Sequence, residues 1–377
     1  MEPILVYRDL LLPLSEMFIY RQLQSRNFVP ILLGSETVQP SIDLTRFDFK
    51  VINCRKHLLG LTREIVFKLS GFLPKAIDRW LAERRPRLVH AHFGPDGAMV
   101  LPLAKRLNLP LIVSFHGSDA TLDFAYARRF RSHRLYQYRR RQLIAYCSAV
   151  LVPSQFVLQQ LVTRHGFPEE KVTVLRHAVD RELLSLASQP EPGRILYVGR
   201  LVRRKGLHLL IEALSHLKRD IDFRLRVVGD GPERLRFERM AYELLGNRVS
   251  FLGALPFSRI VPEYQRAWVF CMPSYTQPSG ETESFGVVYA EAQAASVPVV
   301  AFATGGVPEV VEHGMTGLLA REHNVEELAD YLHALLIDER LRDQMSKTAR
   351  ARAAELFSQE RQIQHLEAIY TKVLYYQ

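Results

Sequence analysis

Cysteine is scarce in this sequence: Cys54, Cys147 and Cys271 are far apart, odd in number and without CxxC spacing. That pattern excludes a disulfide framework and a cysteine-based zinc site, and leaves each thiol as a small core residue. Long hydrophobic runs are absent too. No stretch approaches the roughly 18–20 apolar residues that span a bilayer, and the opening MEPILVYRDL lacks the basic segment and apolar core of an export signal. The expected location is therefore the cytoplasm. No internal repeat or low-complexity tract argues for a solenoid. No Asp-x-Asp element occupies a strand-end position where it would hold a divalent cation, so neither a metal nor a bound cofactor is expected.

The 377 residues are 47% apolar and 24% charged, the make-up of a folded enzyme long enough for two domains with separate cores. Short, β-branched runs alternate with helix-length intervals. The first series is ILVY (4–7), VPILLG (29–34), RLVHAHF (87–93), LPLIVSF (109–115) and AVLVPS (149–154). The second is ILYVGR (195–200), FRLRVVG (223–229), VSFLG (249–253), WVFCMP (268–273) and VPVVAF (297–302). This alternation predicts an α/β protein with two Rossmann-like, doubly wound parallel sheets. A Pro/Gly-containing stretch places the boundary near Val179–Gly193, giving domains 1–180 and 181–357, while 358–377 reads as a capped helix that packs back on the first domain. Ligands of such sheets bind at the C-terminal ends of strands, so two facing sheets imply a central cleft.

The net charge of +10 is local, because residues 1–180 hold 26 Lys/Arg against 15 Asp/Glu whereas 181–377 hold 24 against 25. Residues 55–80 (RKHLLGLTREIVFKLSGFLPKAIDRW) alternate aliphatic with basic residues, and residues 126–141 (YARRFRSHRLYQYRRR) interleave arginines with aromatic rings. Both segments fit docking on an anionic membrane surface, or, on the blander account, a solvated basic face. Nucleic-acid binding is the competing use of the same arginines, but it leaves the second half of the chain unexplained.

Three elements of the second half carry chemistry. The run Tyr197 to Gly206 (YVGRLVRRKG) leaves a strand through Gly199 and four basic residues to a helix near Leu207. It reads as a phosphate cradle with Arg200 and Lys205 supplying charge, or as a solvated basic turn. VVGDGPE (227–233) is a second glycine turn, in which Gly229 is best placed to approach a nucleotide. Glu283 and Glu291 bracket ESFGVVYAE; eight positions apart, they share a helical face if the helix extends back to Glu283. A helix start there also presents the backbone N–H groups of Ser284, Phe285, Gly286 and Val287. The alternative is an exposed polar face.

Together GRLVRRKG, VVGDGPE, PSYTQPSGETESFGVVYAEAQAASVPVVAFATGGVPEVV and TGLL resemble the family 4 retaining glycosyltransferases of GT-B type, over about Arg194 to Ala320. The first half resembles bacterial polysaccharide-building members more loosely, through PLSEMFI (13–19), HAHFGPDGA (90–98) and SFHGSD (114–119). The segment between Tyr275 and Glu283 is longer and more polar than in many relatives. The resemblance implies a UDP-sugar or GDP-sugar donor, with Arg200 and Lys205 on its diphosphate, Glu283 on the transferred sugar and Glu291 on the ribose. It also implies His116 facing the sugar and Ser15 near the diphosphate. Docking through residues 55–80 and 126–141 would place a polyprenyl-diphosphate-linked or other glycan acceptor at the inner face of the cytoplasmic membrane. A GT-B epimerase or phosphorylase would share the cleft.

Overall fold

The computed structural model describes residues 1–13, 16–37, 42–53, 58–185, 187–217 and 221–376. Its strands are β1 (Glu2–Tyr7), β2 (Leu10–Leu11), β3 (Phe28–Gly34), β4 (Glu36–Thr37), β5 (Asp48–Val51), β6 (Leu88–His92), β7 (Leu111–Ser114), β8 (Ala149–Val152), β9 (Val172–Val174), β10 (Arg194–Val198), β11 (Arg224–Val228), β12 (Val249–Phe251), β13 (Val269–Cys271), β14 (Val299–Phe302) and β15 (Gly317–Ala320). The chain divides into two compact units, Met1–Arg176 with Glu360–Gln377, and His177–Gln359.

In the first unit a seven-stranded sheet runs in the order β5-β3-β1-β6-β7-β8-β9, with parallel pairing throughout. Its central strands are buried on both faces, as parallel strands covered by helices must be. Val89, Ala91, Leu111, Val113 and Val150 fill one face. On the other face Ile4, Leu88, Ile112 and Leu151 meet Leu366, Ile369, Tyr370 and Val373 of the helix Gln359–Tyr375. That helix is anchored by polar contacts as well: Glu367 accepts hydrogen bonds from Ser25, Arg26 and Asn27, and Gln362 donates to the Arg176 carbonyl.

The second unit holds a six-stranded parallel sheet in the order β12-β11-β10-β13-β14-β15. Chain order reverses between β10 and β13 here, and between β1 and β6 in the first sheet. These are the topological switch points, where loops at the strand C-termini splay to either side and leave a crevice.

The stretch 55–80 forms, from Leu58 onward, two helices, Leu58–Ser70 and Lys75–Arg84. They part at Gly71, whose φ of 77° lies in the left-handed region, just before Pro74. Cys147 and Cys271 are buried, and burial pushes the Cys147 thiol up to about 11; Cys54 lies outside the described residues.

Candidate active site

In the second unit the polar residues gather at the β10–β13 switch point. From Gly199 the chain passes through a short 3-10 turn, Arg203–Lys205, to Gly206, which starts the helix Leu207–Ser215. Gly206 has φ 73°, and a Cβ there would collide with the Pro273 carbonyl. This close approach presses the basic turn against the segment that follows β13. Lys205 Nζ donates to Glu283 Oε2 at 2.5 Å, and the Ser274 hydroxyl donates to the same oxygen at 3.2 Å. Arg204 lies 3.8 Å from Glu283 and pairs with Glu281 at 3.0 Å.

Glu283 is buried, and burial pushes its carboxyl upward, but Lys205 and Arg204 outweigh that and hold it below the usual carboxylate value. Its backbone is pinned as well, since the Gly306 N–H donates to the Glu283 carbonyl at 2.8 Å. Beside it the hydroxyls of Thr276, Thr282 and Thr304 lie 3.0–3.2 Å apart in a triangle. The result is an ionised carboxylate, two cations and four hydroxyls at one strand-end crevice, equipped to meet an anion and a polyhydroxyl group together.

The helix that follows begins at Val287, with Gly286 as its N-cap in the left-handed region. Glu283 therefore sits in the loop, and the two glutamates do not share a helical face. The cause is local: Gly286, at φ 78°, breaks the helical path before Val287, and the Tyr289 ring leaves no room for a Cβ there. Glu291 is buried on the helix and accepts a hydrogen bond from Tyr264 Oη at 3.3 Å. Of the backbone donors expected from Ser284 to Val287, the Phe285 side chain is a core group, edge-on to His177 and Phe357. Gly229, at φ 135°, touches the Gly199 carbonyl so closely that any Cβ would collide with it, bringing the two glycine turns together. Arg200 is exposed and forms no ion pair with a described residue, and Arg204 stands with Lys205 beside Glu283.

The first unit builds its own polar site at the β1–β6 switch point. Arg8, just past β1, makes a two-pronged contact to Glu16 (2.9 and 2.7 Å) and a third to Asp96 at 2.8 Å, with its guanidinium 4.3 Å above the Phe93 ring. Asp96, in the first turn of the helix Gly94–Arg106, also accepts from the Asp9 N–H at 2.7 Å. Burial pushes its carboxyl up to about 7 against the pull of Arg8. His116 follows β7. Its Nε2 lies 3.1 Å from His92 Nδ1, and its backbone N–H donates to buried Asp119 at 3.1 Å. Ser15 lies outside the described residues.

Sequence patterning singled out Lys205, Glu283 and Glu291, and the family resemblance added His116, but neither pointed to Arg204, Ser274, Tyr264, Arg8 or Asp96. The adjacent basic residues in VRRKG and the aspartate in HAHFGPDG were the available signals.

Two units, each with a doubly wound parallel sheet and a polar crevice at its switch point, define the GT-B class. The crystal structure of Anabaena Alr3699/HepE in complex with UDP and glucose matches this chain with a TM-score of 0.78 at 20% identity, covering 99% of this chain and 100% of that one. The family described as Glycosyltransferase Family 4 matches residues 21–183, and that described as Glycosyl transferases group 1 matches residues 181–352. The D-inositol 3-phosphate glycosyltransferase of Corynebacterium glutamicum is 30% identical over 312 residues, 76% of this chain and 72% of that protein. The chain belongs to the family 4 glycosyltransferases and is a glycosyltransferase. The putative colanic acid biosynthesis glycosyltransferase WcaL of Salmonella typhimurium is 33% identical over 279 residues, 72% of this chain and 66% of that relative's length.

Proposed function

We propose that this chain transfers a sugar, with retention of anomeric configuration, from a UDP-sugar or GDP-sugar to a glycan or polyprenyl-diphosphate-linked glycan in bacterial surface polysaccharide synthesis. The observation that carries this is the Lys205–Glu283–Ser274 cluster at the β10–β13 switch point. In this scheme Lys205, Arg204 and the exposed Arg200 face the donor diphosphate, Glu283 accepts from sugar hydroxyls, and Glu291 accepts from the ribose. Gly199 and Gly229 let the backbone close on the nucleotide. Ser284–Val287 present backbone N–H groups, and His116 is assigned to the sugar and Ser15 to the diphosphate. Support comes from the neighbour crystallised with UDP and glucose and from the relative named for colanic acid biosynthesis.

The chemistry follows from charge. Breaking the bond from sugar to phosphate develops an oxocarbenium-like sugar and an anionic oxygen. Lys205 and Arg204 stabilise that oxygen, with no divalent cation assigned a part. Same-face attack lets the departing phosphate take the acceptor proton. The scheme is tested by incubating the protein with a panel of nucleotide sugars and polyprenyl-diphosphate-linked glycans, then reading product anomeric configuration by NMR. An inverted linkage, or nucleotide-sugar epimerisation without transfer, would overturn it.

The acceptor side carries a second part of the proposal, peripheral docking on the inner face of the cytoplasmic membrane. On the helix Leu58–Ser70 and the residues just after it, Leu59, Leu61, Ile65, Val66, Leu69 and Phe72 are each 46–60% exposed. Arg139 donates to the carbonyls of Lys68 and Leu69, tying this row to the basic helix Arg131–Tyr146, on which Arg131, Arg134 and Arg141 are exposed. An apolar row flanked by arginines suits an anionic bilayer, each basic residue adding roughly 1 kcal/mol. No helix among the described residues is long and apolar enough to cross a membrane. Co-sedimentation with vesicles should depend on anionic lipid and fall with salt; equal binding to neutral vesicles would contradict the docking.

A further inference from the structure

The β6 strand carries two imidazoles on a sheet face where most of the neighbouring side chains are aliphatic. Leu88, His90 and His92 alternate onto one side, and His90 and His92 register with Ile112 and Ser114 of β7. Around them lie Ile4, Ile112 and Leu151, the residues such a face ordinarily uses. Burying an imidazole costs free energy unless its nitrogens are hydrogen-bonded. His90 meets that condition on both sides, with Tyr370 Oη at 2.7 Å and Ser114 Oγ at 2.8 Å. His92 spends its Nδ1 on His116 Nε2.

Among the described residues, three rings lie against the His116 imidazole. His92 is near-parallel to it, at 16° with centroids 5.3 Å apart, Phe93 stands edge-on at 4.9 Å, and Phe18 lies at 4.9 Å. Phe93 holds this position with φ at 77°, in the left-handed region that a bulky L-residue rarely adopts. Such outliers persist only where the surroundings over-determine them. Here the Phe93 N–H donates to the Ser114 carbonyl at 2.6 Å and the ring lies under Arg8. A glycine at 93 would adopt the same backbone without strain, so the ring itself has a use.

We propose that His92 and Phe93 are positioning residues: His92 fixes the tilt of His116 through the Nδ1–Nε2 hydrogen bond and Phe93 through edge contact, presenting that imidazole to the transferred sugar. This rests on His116 being the histidine that meets the sugar. A single proton lies between the two nitrogens, so the tautomer of one ring sets that of the other.

The test uses the full chain with UDP-glucose and GDP-mannose as donor probes, measuring melting temperature, UDP and GDP affinity, and kcat and KM. His92→Asn keeps a polar group near the Nδ1 position, His92→Phe keeps the ring without the hydrogen bond, and Phe93→Gly relieves the backbone but removes the ring. His116→Ala is the reference. We expect His92→Phe and Phe93→Gly to bind nucleotide as wild type does but to lose about tenfold or more in kcat, since small misplacements carry such penalties. His92→Asn should recover most of that loss, and ¹⁵N shifts of the His116 ring should move in His92→Phe but not in His92→Asn. Equal kcat in His92→Phe and wild type, with His116→Ala impaired, would overturn the proposal while leaving the His116 assignment intact. Wild-type kcat in His116→Ala would overturn both. Should His92→Phe fail to fold, His92→Asn and Phe93→Gly decide, the proposal requiring the first near wild type and the second depressed.

Discussion

Replacing Lys205 with methionine removes one of the two cations beside Glu283 while keeping most of the side-chain volume. At an effective dielectric of about 20, the Lys205 contact at 2.5 Å corresponds to about 6–7 kcal/mol of attraction and the Arg204 contact at 3.8 Å to about 4. The substitution therefore strips about three fifths of the charge attraction from a buried carboxylate, though desolvating the ammonium no longer costs anything. Breaking a buried pair costs about 3–5 kcal/mol, and the remaining Arg204 and Ser274 contacts place this case near the lower figure. For a unit of this size about 3 kcal/mol lowers Tm by roughly 6–12 °C. Loss of one charge-stabilising group at the leaving oxygen should also cost about 10²–10³ in kcat. A double variant, Lys205→Met with Glu283→Gln, separates the two effects. It leaves no uncompensated charge, so Tm should return toward wild type while kcat stays low. A Lys205→Met protein with turnover within about twofold of wild type would refute the catalytic assignment. A double variant less stable than Lys205→Met alone would refute the electrostatic account of the pair.

Glu283, held below its ordinary pKa of 4.5, contributes stability that is present above that value and lost as pH falls through its lower folded pKa; Glu283→Gln should flatten the acid limb of a urea-midpoint profile. Asp96 behaves oppositely. Its carboxyl is raised to about 7 from 3.8, so between those values the folded state binds the extra proton and stability falls as pH rises, a slope that Asp96→Asn should remove. Gly229→Ala should destabilise by at least ~1–3 kcal/mol in chemical denaturation, because φ 135° and the Gly199 carbonyl both oppose a Cβ. Tyr370→Phe deprives His90 Nδ1 of its partner in a buried site and should cost about 1–3 kcal/mol, seen as faster hydrogen exchange in the helix Gln359–Tyr375.

Local patterning is strong where burial imposes it. The apolar run ILVY lies within β1, and RLVHAHF, LPLIVSF and VPVVAF contain β6, β7 and β14, because strands covered on both faces must be nearly all apolar. RLVHAHF overshoots by one residue at its C-terminal end, since the left-handed φ at Phe93 ends the strand and aromatic identity gives no warning of it. The strands β5, β9 and β15 were not read from the sequence. DFKV is exposed at the sheet edge and carries charge, and VTV is three residues long. At the site, Lys205 and Glu283 were legible as types but not as partners, being 78 residues apart. Arg8 and Asp96, 88 apart, were no more legible as partners, for the same reason. Pairing across a switch point is set by sheet order, which no local window contains. Arg204 and Lys205, adjacent in the 3-10 turn Arg203–Lys205, both lie beside Glu283, a placement that the run of basic residues alone does not reveal.

Calorimetric titration of UDP, GDP, ADP and their sugar conjugates into the wild-type protein, Lys205→Met and Glu291→Ala tests the donor-site assignment most directly. One base should bind selectively, and both substitutions should weaken it by about tenfold or more, the loss of one charge-assisted hydrogen bond. Absence of binding by every nucleotide at about millimolar concentration, or affinity untouched by both substitutions, would contradict a nucleotide-sugar site at the β10–β13 crevice.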